Sequence, residues 1–330
     1  MNKKCIVTGA AGFIGFHLSK KLLKNGYTVL GIDNLNNYYS KQLKLDRLKI
    51  LKHKNFKFIK ADLKQKTKLK TIFKNFKPDY VYNLAAQAGV RYSILKPLNY
   101  INNNIIAFQN ILDLSKDFKV KLLIYASSSS VYGKNSDDIL KISSITDKPI
   151  SPYAVTKKTN EMMASVYSGL HELPTIGFRF FTVYGPWGRP DMSLFKFTDN
   201  MFKNKKILLF NKGNHKRDFT YIDDVTVALL ASIKKFSSTN KIKNFFKNNP
   251  PSLILNISGN KTTTLMEYVK LIEKGINKRA IIEFKNLQPG DVVKTTADIS
   301  QTKKILGYNP KTSLSKGISA FIKWYRKYYK

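Results

Sequence analysis

The chain has 330 residues, a formal net charge of +37 and a single cysteine. Its length suffices for one large core and a smaller lobe, and one cysteine excludes an internal disulfide, which fits a reducing, cytoplasmic setting. The basic residues are spread through every segment, so they indicate a lysine-rich solvated surface and argue against a nucleic-acid or membrane partner. The four histidines lack metal-ligand spacing, and no metal site is expected.

The first half of the chain alternates strand-like and helix-like segments. The predicted strands span residues 3–8, 27–33, 56–61, 80–85, 121–126 and 175–180. The predicted helices between them end near residues 25 and 76, run from about 98 to 116, and begin again at 152. Near-continuous apolar strands in this βαβ order predict an α/β fold with a doubly wound parallel sheet of Rossmann type.

After residue 183 the pattern changes to short strands, short helices and loops. We expect a larger domain from residues 1–181 plus about 217–237, and a smaller, mostly C-terminal lobe from about 182–216 and 238–330. The Lys-, Asn- and Ser-rich residues from about 234 to 252 are predicted to form a solvated loop. The active site is expected between the two parts, beyond the carboxyl ends of the strands.

The sequence TGAAGFIG, residues 8–15, joins the first strand to the first helix. Gly9, Gly12 and Gly15 let the backbone approach a pyrophosphate, whose charge meets the free N–H groups and positive dipole end of the helix. Asp33 closes the next strand, where it is placed to accept hydrogen bonds from an adenosine ribose and would repel a 2′-phosphate. The pattern predicts a bound dinucleotide, and NAD in preference to NADP.

Tyr153 and Lys157 lie one helical turn apart in SPYAVTK and share a helix face. An ammonium beside a phenol stabilises the phenolate and is expected to lower its pKa, so this tyrosine can act as a general base towards a sugar hydroxyl. A strand that ends in four serines, residues 127–130, precedes the pair. Hydroxyls at that strand end can hydrogen-bond the same substrate oxygen.

Several motifs follow one another over nearly the whole chain: TGAAGFIG, GIDN, NLAAQAGVRYS, SSSSVYG, SPYAVTK and RDFTYIDD. In this order they resemble the extended short-chain dehydrogenases/reductases. AAQAGVRYS (85–93) and RFFTVYGPWGRPDM (179–192) resemble nucleotide-sugar 4-epimerases, most closely UDP-glucuronate 4-epimerases. The resemblance implies that the larger domain binds NAD, that the smaller lobe binds a UDP-sugar, and that the chain forms a homodimer through the helices near 98–116 and 152–170.

The resemblance also assigns residues. Tyr153 would be the catalytic base and acid, and Lys157 its pKa-lowering partner, which also bonds the nicotinamide ribose. Ser128 would be the catalytic Ser/Thr of the family, and Ser130 a second hydroxyl near the sugar. The implied cofactor contacts are Gly9, Gly12, Phe13, Ile14, Gly15, Asp33, Asn34, Asp62, Leu63, Ala85, Ala86, Asn104, Tyr153 and Lys157. The implied substrate contacts are Arg189 and Thr182 for a carboxylate, Arg217 for the diphosphate, Gln288 and Asp291 near the uridine, and Arg91, which is not assigned to a particular part of the substrate.

The chemistry implied is a reversible oxidation at C4 of the sugar, in which the 4-keto intermediate turns over and receives hydride on its other face. Ser129 and Ser130 stand where related 4,6-dehydratases carry an Asp-Glu pair, which disfavours dehydration. The leading hypothesis is a UDP-glucuronate 4-epimerase that makes UDP-galacturonate for surface polysaccharide. The alternatives are a 4-epimerase of UDP-glucose or UDP-N-acetylglucosamine, and an idle NAD-binding scaffold or nucleic-acid-binding relative, which the basic charge alone supports.

Overall fold

The computed structural model describes residues 3–135, 137–247, 251–288 and 292–330. Its strands are β1 Lys4–Thr8, β2 Thr28–Asp33, β3 Phe56–Lys60, β4 Tyr80–Asn83, β5 Leu122–Ser128, β6 Thr175–Phe180, β7 Thr182–Tyr184, β8 Ile207–Leu209, β9 Lys216–Tyr221, β10 Ser252–Ile257, β11 Thr262–Thr264 and β12 Ile282–Phe284. Its α-helices are α1 Phe13–Lys24, α2 Lys41–Ile50, α3 Lys66–Phe76, α4 Val90–Leu95, α5 Pro97–Tyr100, α6 Ala107–Asp117, α7 Pro152–His171, α8 Ser193–Phe202, α9 Ile222–Lys235, α10 Thr239–Lys247, α11 Leu265–Ile276, α12 Ser300–Leu306 and α13 Leu314–Tyr329. A π-helical turn, Ile101–Ile106, joins α5 to α6.

In the described residues, seven strands form one large sheet in the order β10-β6-β5-β4-β1-β2-β3. Every neighbouring pair in it is parallel. The strand order runs outward in both directions from β1 and β4, as in doubly wound folds. The predicted fold class is confirmed.

Side chains along the strands alternate between two buried clusters, one on each face of the large sheet. In β1, Cys5 and Val7 pack in one cluster and Ile6 in the other. Helices α1 and α9 cover the first face, and α3 and α6 cover the second. Both faces of the sheet are therefore largely buried, which explains why its inner strands are mainly apolar. The edge strand β3 differs, because its Lys57 and Lys60 are exposed.

A third cluster forms the core of a smaller lobe, built on the three-stranded sheet β11-β9-β7 and the pair β12-β8. Helices α8, α11 and α13 supply most of its side chains, among them Phe195, Ile272 and Phe321. Helix α13 also reaches the larger part: the Tyr328 hydroxyl donates to Asp46 Oδ2 at 2.6 Å, across 282 residues of chain. The smaller lobe thus packs directly on α2.

Two segments depart from the expected organisation. Residues 234–252 were predicted as a solvated loop, and residues 248–250 of that segment lie outside the described residues. Its described part contains helix α10, because Ile242, Phe245 and Phe246 at helical spacing pack towards Phe236. The strand Ser252–Ile257 was expected in the smaller lobe but pairs with β6 as an edge strand of the large sheet. Its apolar residues Leu255 and Ile257 extend the first core cluster.

The described ranges contain neither a candidate membrane-spanning helix nor a candidate metal-binding cluster. No helix there combines the length and apolar character needed to span a bilayer. No group of three or more His, Cys, Asp or Glu side chains there is placed to hold a metal ion. Cys5 is a free, buried thiol in β1.

Candidate active site

A cavity of about 900 Å³ lies beyond the carboxyl ends of strands β1, β2, β4, β5 and β6. The smaller lobe closes it from the opposite side with residues of β7, α8 and β9 and of the loops beside them. This is the place where open parallel sheets bind ligands. The cavity therefore lies between the large sheet and the smaller lobe, which is where the sequence predicts the active site.

The glycines of the first loop leave no room for side chains. A Cβ on Gly15 would lie 2.1 Å from the Gly9 carbonyl oxygen, and a Cβ on Gly9 would lie 2.9 Å from the Ala85 backbone nitrogen. Gly9 also has a φ of +68°, in the left-handed region that favours glycine. The loop thus packs backbone against backbone and leaves the cavity open beside it.

The N-terminus of α1 faces this cavity through Phe13 and Ile14. Its N-cap is Gly12, which supplies no side-chain cap, and the first turn contains no acidic residue. The first amides of the helix therefore keep their hydrogen-bonding capacity and positive dipole end for an anion. A dinucleotide pyrophosphate fits this cradle.

Asp33 ends β2 at the edge of the cavity. Its Oδ2 accepts from the Ala11 amide at 3.2 Å and its Oδ1 from the Leu35 amide at 2.8 Å, so the carboxylate ties the glycine loop to the end of the strand. Burial raises the pKa of Asp33, and the Leu35 amide and the charge of Lys44 oppose that rise. A carboxylate in this position accepts ribose hydroxyls with its remaining lone pairs.

Further predicted cofactor contacts are grouped along the same wall of the cavity. Asn34 Nδ2 donates to Asp62 Oδ2 at 3.2 Å, and Leu63 follows directly. Ala85 and Ala86 line the cavity at the end of β4. The structure thus gathers these predicted cofactor residues on one side.

Asn104 is an exception among the predicted cofactor residues. It lies in the π-helical turn, is buried, and does not line the cavity. Its side chain accepts from the Gln87 amide at 2.8 Å and donates to the Gln87 carbonyl at 3.1 Å and to Thr156 at 3.0 Å. Asn104 therefore fixes the loop after β4, and Gln87 is the residue that reaches the cavity.

The predicted catalytic residues meet where β5 and α7 approach each other. Ser151 caps α7 by accepting from the Ala154 amide at 3.2 Å, which places Tyr153 in the first helical turn. Ser128 Oγ donates to Ser130 Oγ at 3.1 Å. Lys157 Nζ donates to the Ala126 carbonyl at 2.7 Å and lies 6.0 Å from the ring centre of Tyr153.

The electrostatics of Tyr153 differ from the expectation. Burial raises its pKa, while a hydrogen bond with Ser128 and the positive charge of Arg189 oppose the rise. Burial also lowers the pKa of Lys157 to about 8, against the charge of Glu161. In the protein alone, the pKa of the Tyr153 phenol is raised, because desolvation outweighs the effect of the neighbouring positive charge.

The substrate side of the cavity is basic. Four of the predicted substrate contacts line it: Arg91, Thr182, Arg189 and Arg217. Arg189 forms a two-point ion pair with Asp191, with Nε to Oδ1 at 3.0 Å and Nη2 to Oδ2 at 2.5 Å. Gln288 does not line the cavity, and Asp291 lies outside the described residues.

The chain matches the family described as NAD dependent epimerase/dehydratase over residues 5–245. The chain belongs to this family. It is 48% identical to protein CapI of Staphylococcus aureus over 99% of each chain, and 41% identical to the UDP-glucuronate 4-epimerase of Thermodesulfobacterium geofontis over 97% of this chain and 95% of that protein. The crystal structure of UDP-glucuronic acid 4-epimerase from Bacillus cereus, in complex with UDP-glucuronic acid and NAD, is similar to it with a TM-score of 0.90 at 36% identity, covering 99% of this chain and 100% of that one.

Sequence reasoning missed several residues at the site of this epimerase/dehydratase. Lys44 lines the cavity and donates to the Asn36 carbonyl at 2.7 Å, and Tyr38 donates to Asp191 Oδ2 at 3.3 Å. Both lie in the segment NLNNYYSKQLK, which directly follows β2. Polar and aromatic residues just after the carboxyl end of a parallel strand indicate a ligand site, so the sequence did contain a signal for them. Glu161 lies behind Lys157, where it accepts from Ser127 at 2.5 Å and pairs with Arg179.

Proposed function

We propose that this chain is an NAD-dependent UDP-glucuronate 4-epimerase, which interconverts UDP-glucuronate and UDP-galacturonate through a 4-keto intermediate. One observation carries the proposal: Arg189 lines the same cavity as Tyr153. In glucuronate the carboxylate is attached to C5, which is bonded to C4, the carbon whose hydroxyl gives its proton to Tyr153. A cation in the cavity that holds the base can pair with that carboxylate, and a neutral sugar has no group to pair with it. Similar proteins named UDP-glucuronate 4-epimerase support the same assignment.

In the proposed reaction, Tyr153 as phenolate accepts the proton of the 4-hydroxyl. Ser128 hydrogen-bonds the phenol, and Ser130, 3.1 Å from Ser128, orients that hydroxyl. Lys157, largely charged at neutral pH with its pKa of about 8, adds positive charge near the ring. NAD, when bound, supplies the hydride acceptor and donor at C4, and its positive nicotinamide favours the phenolate. Tyr153 returns the proton to O4 when the ketone is reduced.

Arg189 has a second task in this proposal. Oxidation at C4 places a ketone β to the carboxylate, and such acids readily lose carbon dioxide. A guanidinium holds the carboxylate through charge-assisted hydrogen bonds and keeps the breaking bond out of alignment with the carbonyl. The ion pair with Asp191 uses Nε and Nη2, so it orients the guanidinium and leaves Nη1 outside the pair. Thr182 lines the same cavity as a neutral partner for the acid.

We assign the diphosphate end of the substrate to Arg217 and Arg91. Arg217 on β9 is held by the Val293 carbonyl at 2.9 Å. The Arg91 guanidinium stacks 4.1 Å from the ring centre of Phe210. Both side chains line the cavity, and guanidinium groups suit phosphate oxygens. The assignment of Gln288 and Asp291 to the uridine stays a prediction.

A panel of substrates tests the proposed function. The NAD-loaded protein is incubated with UDP-glucuronate, UDP-glucose and UDP-N-acetylglucosamine, and the products are resolved by chromatography. We expect UDP-glucuronate to be converted to UDP-galacturonate with the highest kcat/KM. Preferred turnover of UDP-glucose or UDP-N-acetylglucosamine would replace the proposal with a neutral-sugar 4-epimerase.

Arg189→Ala is expected to lower kcat/KM for UDP-glucuronate by about 10-fold to 10²-fold, because a hydrogen-bonded charge partner of the carboxylate is lost. Residual turnover of UDP-glucose should fall less, and a UDP-pentose by-product should accumulate as the unprotected β-keto acid loses carbon dioxide. Product chromatography with both substrates measures these effects. Arg279→Ala is the matched control, because Arg279 is exposed, pairs with Glu273 and does not line the cavity. Equal loss of both substrates in Arg189→Ala would contradict the carboxylate assignment.

We also propose that the chain forms a homodimer. Helix α7 packs against α4, α5, the π-helical turn and α6. Apolar side chains on the outer surface of these helices are 42% to 73% exposed: Leu95, Leu98, Ile101, Ile106, Val155, Met162, Val166 and Leu170. On α7 they repeat at helical spacing and form one stripe. An exposed apolar surface of this kind is typical of an interface, and a second copy carries the same surface for a two-fold contact.

A double substitution, Leu98→Lys with Met162→Lys, is expected to convert the dimer to a monomer, because it buries two charges in an apolar contact. Sedimentation velocity measures the change. Val227→Lys on α9 is the control, since Val227 is also exposed, at 47%, but lies on another surface. A wild-type protein that sediments as a monomer, or a double variant that stays dimeric, would contradict the proposed interface.

The proposed setting is the cytoplasm, where the product would supply surface polysaccharide. A single free thiol in β1 supports a reducing compartment. A uronate attached to UDP is an activated donor, and glycosyl transfer is the class of reaction that consumes it.

A further inference from the structure

Arg47 on α2 is completely buried, and its hydrogen bonds join two loops that are distant in sequence. Its Nη1 donates to the Ala11 carbonyl of the glycine loop at 2.8 Å and to the Tyr39 hydroxyl at 2.8 Å. Its Nη2 donates to the carbonyls of Trp187 at 2.6 Å and Gly188 at 3.3 Å. One guanidinium therefore bridges the cofactor side and the substrate side of the cavity.

The loop on the substrate side, residues 185–192, has an unusual backbone. Trp187 has a φ of +61°, in the left-handed region that bulky L-residues rarely adopt. Its ring packs against Phe16, Trp324 and Tyr328, with ring centres 5.8, 5.3 and 4.9 Å away. Such a conformation persists only where surrounding contacts over-determine it.

A second, half-buried donor from the cofactor side holds the same loop. His17 on α1 donates through Nε2 to the Pro186 carbonyl at 2.9 Å. Burial lowers the pKa of His17 to about 3, so the ring is neutral. Three successive carbonyls, of residues 186, 187 and 188, are thus held by His17 and Arg47, immediately before Arg189.

We infer that Arg47 is a positioning residue that sets Arg189 relative to the cofactor loop and thereby determines the preference for an acidic sugar over a neutral one. The inference rests on the proposed function, because it takes Arg189 as the partner of the substrate carboxylate. Arg47 does not line the cavity, and the four acceptors of its guanidinium are protein groups. It acts through the loop that carries Arg189.

The chemistry of the contacts requires arginine at this place. The two terminal nitrogens of the rigid, planar guanidinium donate to four acceptors on different segments. A lysine ammonium has all its donors on one nitrogen. Lysine therefore cannot hold the glycine loop and the 185–192 loop together. The positive charge itself also favours the ionised form of Asp33, since Arg47 lowers the pKa of that carboxyl.

Two substitutions at Arg47 separate these contributions. Arg47→Lys keeps the charge and loses the fork, and Arg47→Met loses both. We expect each to lower kcat/KM for UDP-glucuronate by about 10-fold to 10²-fold, because a displacement of about 1 Å at a substrate-positioning group has effects of this size. Turnover of UDP-glucose should change less than threefold, so that the preference for the acidic sugar falls. Arg326→Met is the control, since Arg326 also donates to a backbone carbonyl, that of Ile276 at 3.0 Å, away from the cavity.

A binding experiment adds a readout that does not depend on turnover. In a Tyr153→Phe background, calorimetry measures the affinities for UDP-glucuronate and for UDP. Arg47→Lys should weaken UDP-glucuronate binding at least fivefold and leave UDP binding within twofold, because UDP lacks the carboxylate. A general structural defect would weaken both ligands alike and would overturn the inference. If Arg47→Met does not fold, the comparison is made with Arg47→Lys alone.

A double-mutant cycle with Arg189→Ala decides whether Arg47 acts through Arg189. We expect the effect of Arg47→Lys on UDP-glucuronate affinity to disappear when Arg189 is already alanine, because coupled residues are not additive. Full additivity would overturn the inference. A wild-type protein that prefers UDP-glucose would refute the proposed function instead, whereas a wild-type preference for UDP-glucuronate that survives both Arg47 variants would refute only the role of Arg47.

Discussion

Tyr153→Phe is expected to lower the turnover of UDP-glucuronate by about 10² to 10⁴-fold, because it removes the group that exchanges the proton of the 4-hydroxyl. The substitution deletes a single oxygen, so the fold and the amount of bound NAD should be unchanged. Turnover is measured by product chromatography, and bound NAD by its release after acid denaturation. The remaining hydroxyls, Ser128 and Ser130, cannot replace the base, since an alcohol is a far weaker proton acceptor than a phenolate.

The same helix provides a control for this variant. Tyr167 on α7 hydrogen-bonds Asp113 and Gln109 and does not line the cavity. Tyr167→Phe removes the same atom from the same helix and should leave turnover within about twofold, since its phenol takes no part in the chemistry. Near-normal turnover in Tyr153→Phe would remove Tyr153 from its assigned role.

Glu161→Gln is expected to lower the free energy of unfolding by about 3–5 kcal/mol, because it leaves a buried guanidinium without its charge partner. The side chains of Glu161 and Arg179 are only 6% and 5% exposed, and they meet through two hydrogen bonds of 2.9 and 2.8 Å. Glutamine has nearly the same shape as glutamate, so the loss measures charge and not a cavity. Urea unfolding followed by circular dichroism gives the value.

A double variant tests that explanation. Glu161→Leu with Arg179→Met removes both charges and should be less destabilising than Glu161→Gln alone, since no unpaired ion remains.

Glu161 also opposes the fall in the pKa of Lys157, so its loss should lower that pKa below about 8. If protonated Lys157 supports the base, the high-pH limb of turnover then moves to lower pH in Glu161→Gln. For the stability prediction, a free energy of unfolding of Glu161→Gln within 1 kcal/mol of the wild-type value would contradict the role of the Glu161–Arg179 pair.

The parts of the site that could be predicted are those encoded locally. The spacing of Gly9, Gly12 and Gly15, and of Tyr153 and Lys157, is a property of one turn or one helix, and each falls in the predicted element. The large sheet could also be predicted from the sequence, because strands that are buried on both faces are mainly apolar along their length. Motif order along the chain then identified the family, and the comparison with known proteins confirms it.

The parts that were missed depend on contacts between distant segments. Arg47 lies in a helix of mixed Lys, Leu and Asp composition, and nothing in its neighbourhood distinguishes it from a surface arginine until the 185–192 loop is packed against it. Glu161 and Arg179 are separated by 18 residues, and their pairing follows from the packing of α7 on β6. Helix α10 was not predicted either, because its sequence has more Lys, Asn and Thr residues than apolar ones, and only three apolar side chains anchor it.

The hydrogen bond between Tyr328 and Asp46 has a consequence for the order in which the molecule is assembled. During synthesis, α2 leaves the ribosome long before α13, with 282 residues between these two side chains. Contacts of such long sequence separation close late in folding, because the chain entropy of a large loop must be overcome first. Most of the large sheet can therefore form while the 185–192 loop still lacks the ring contacts of Trp187 with Trp324 and Tyr328, which α13 supplies.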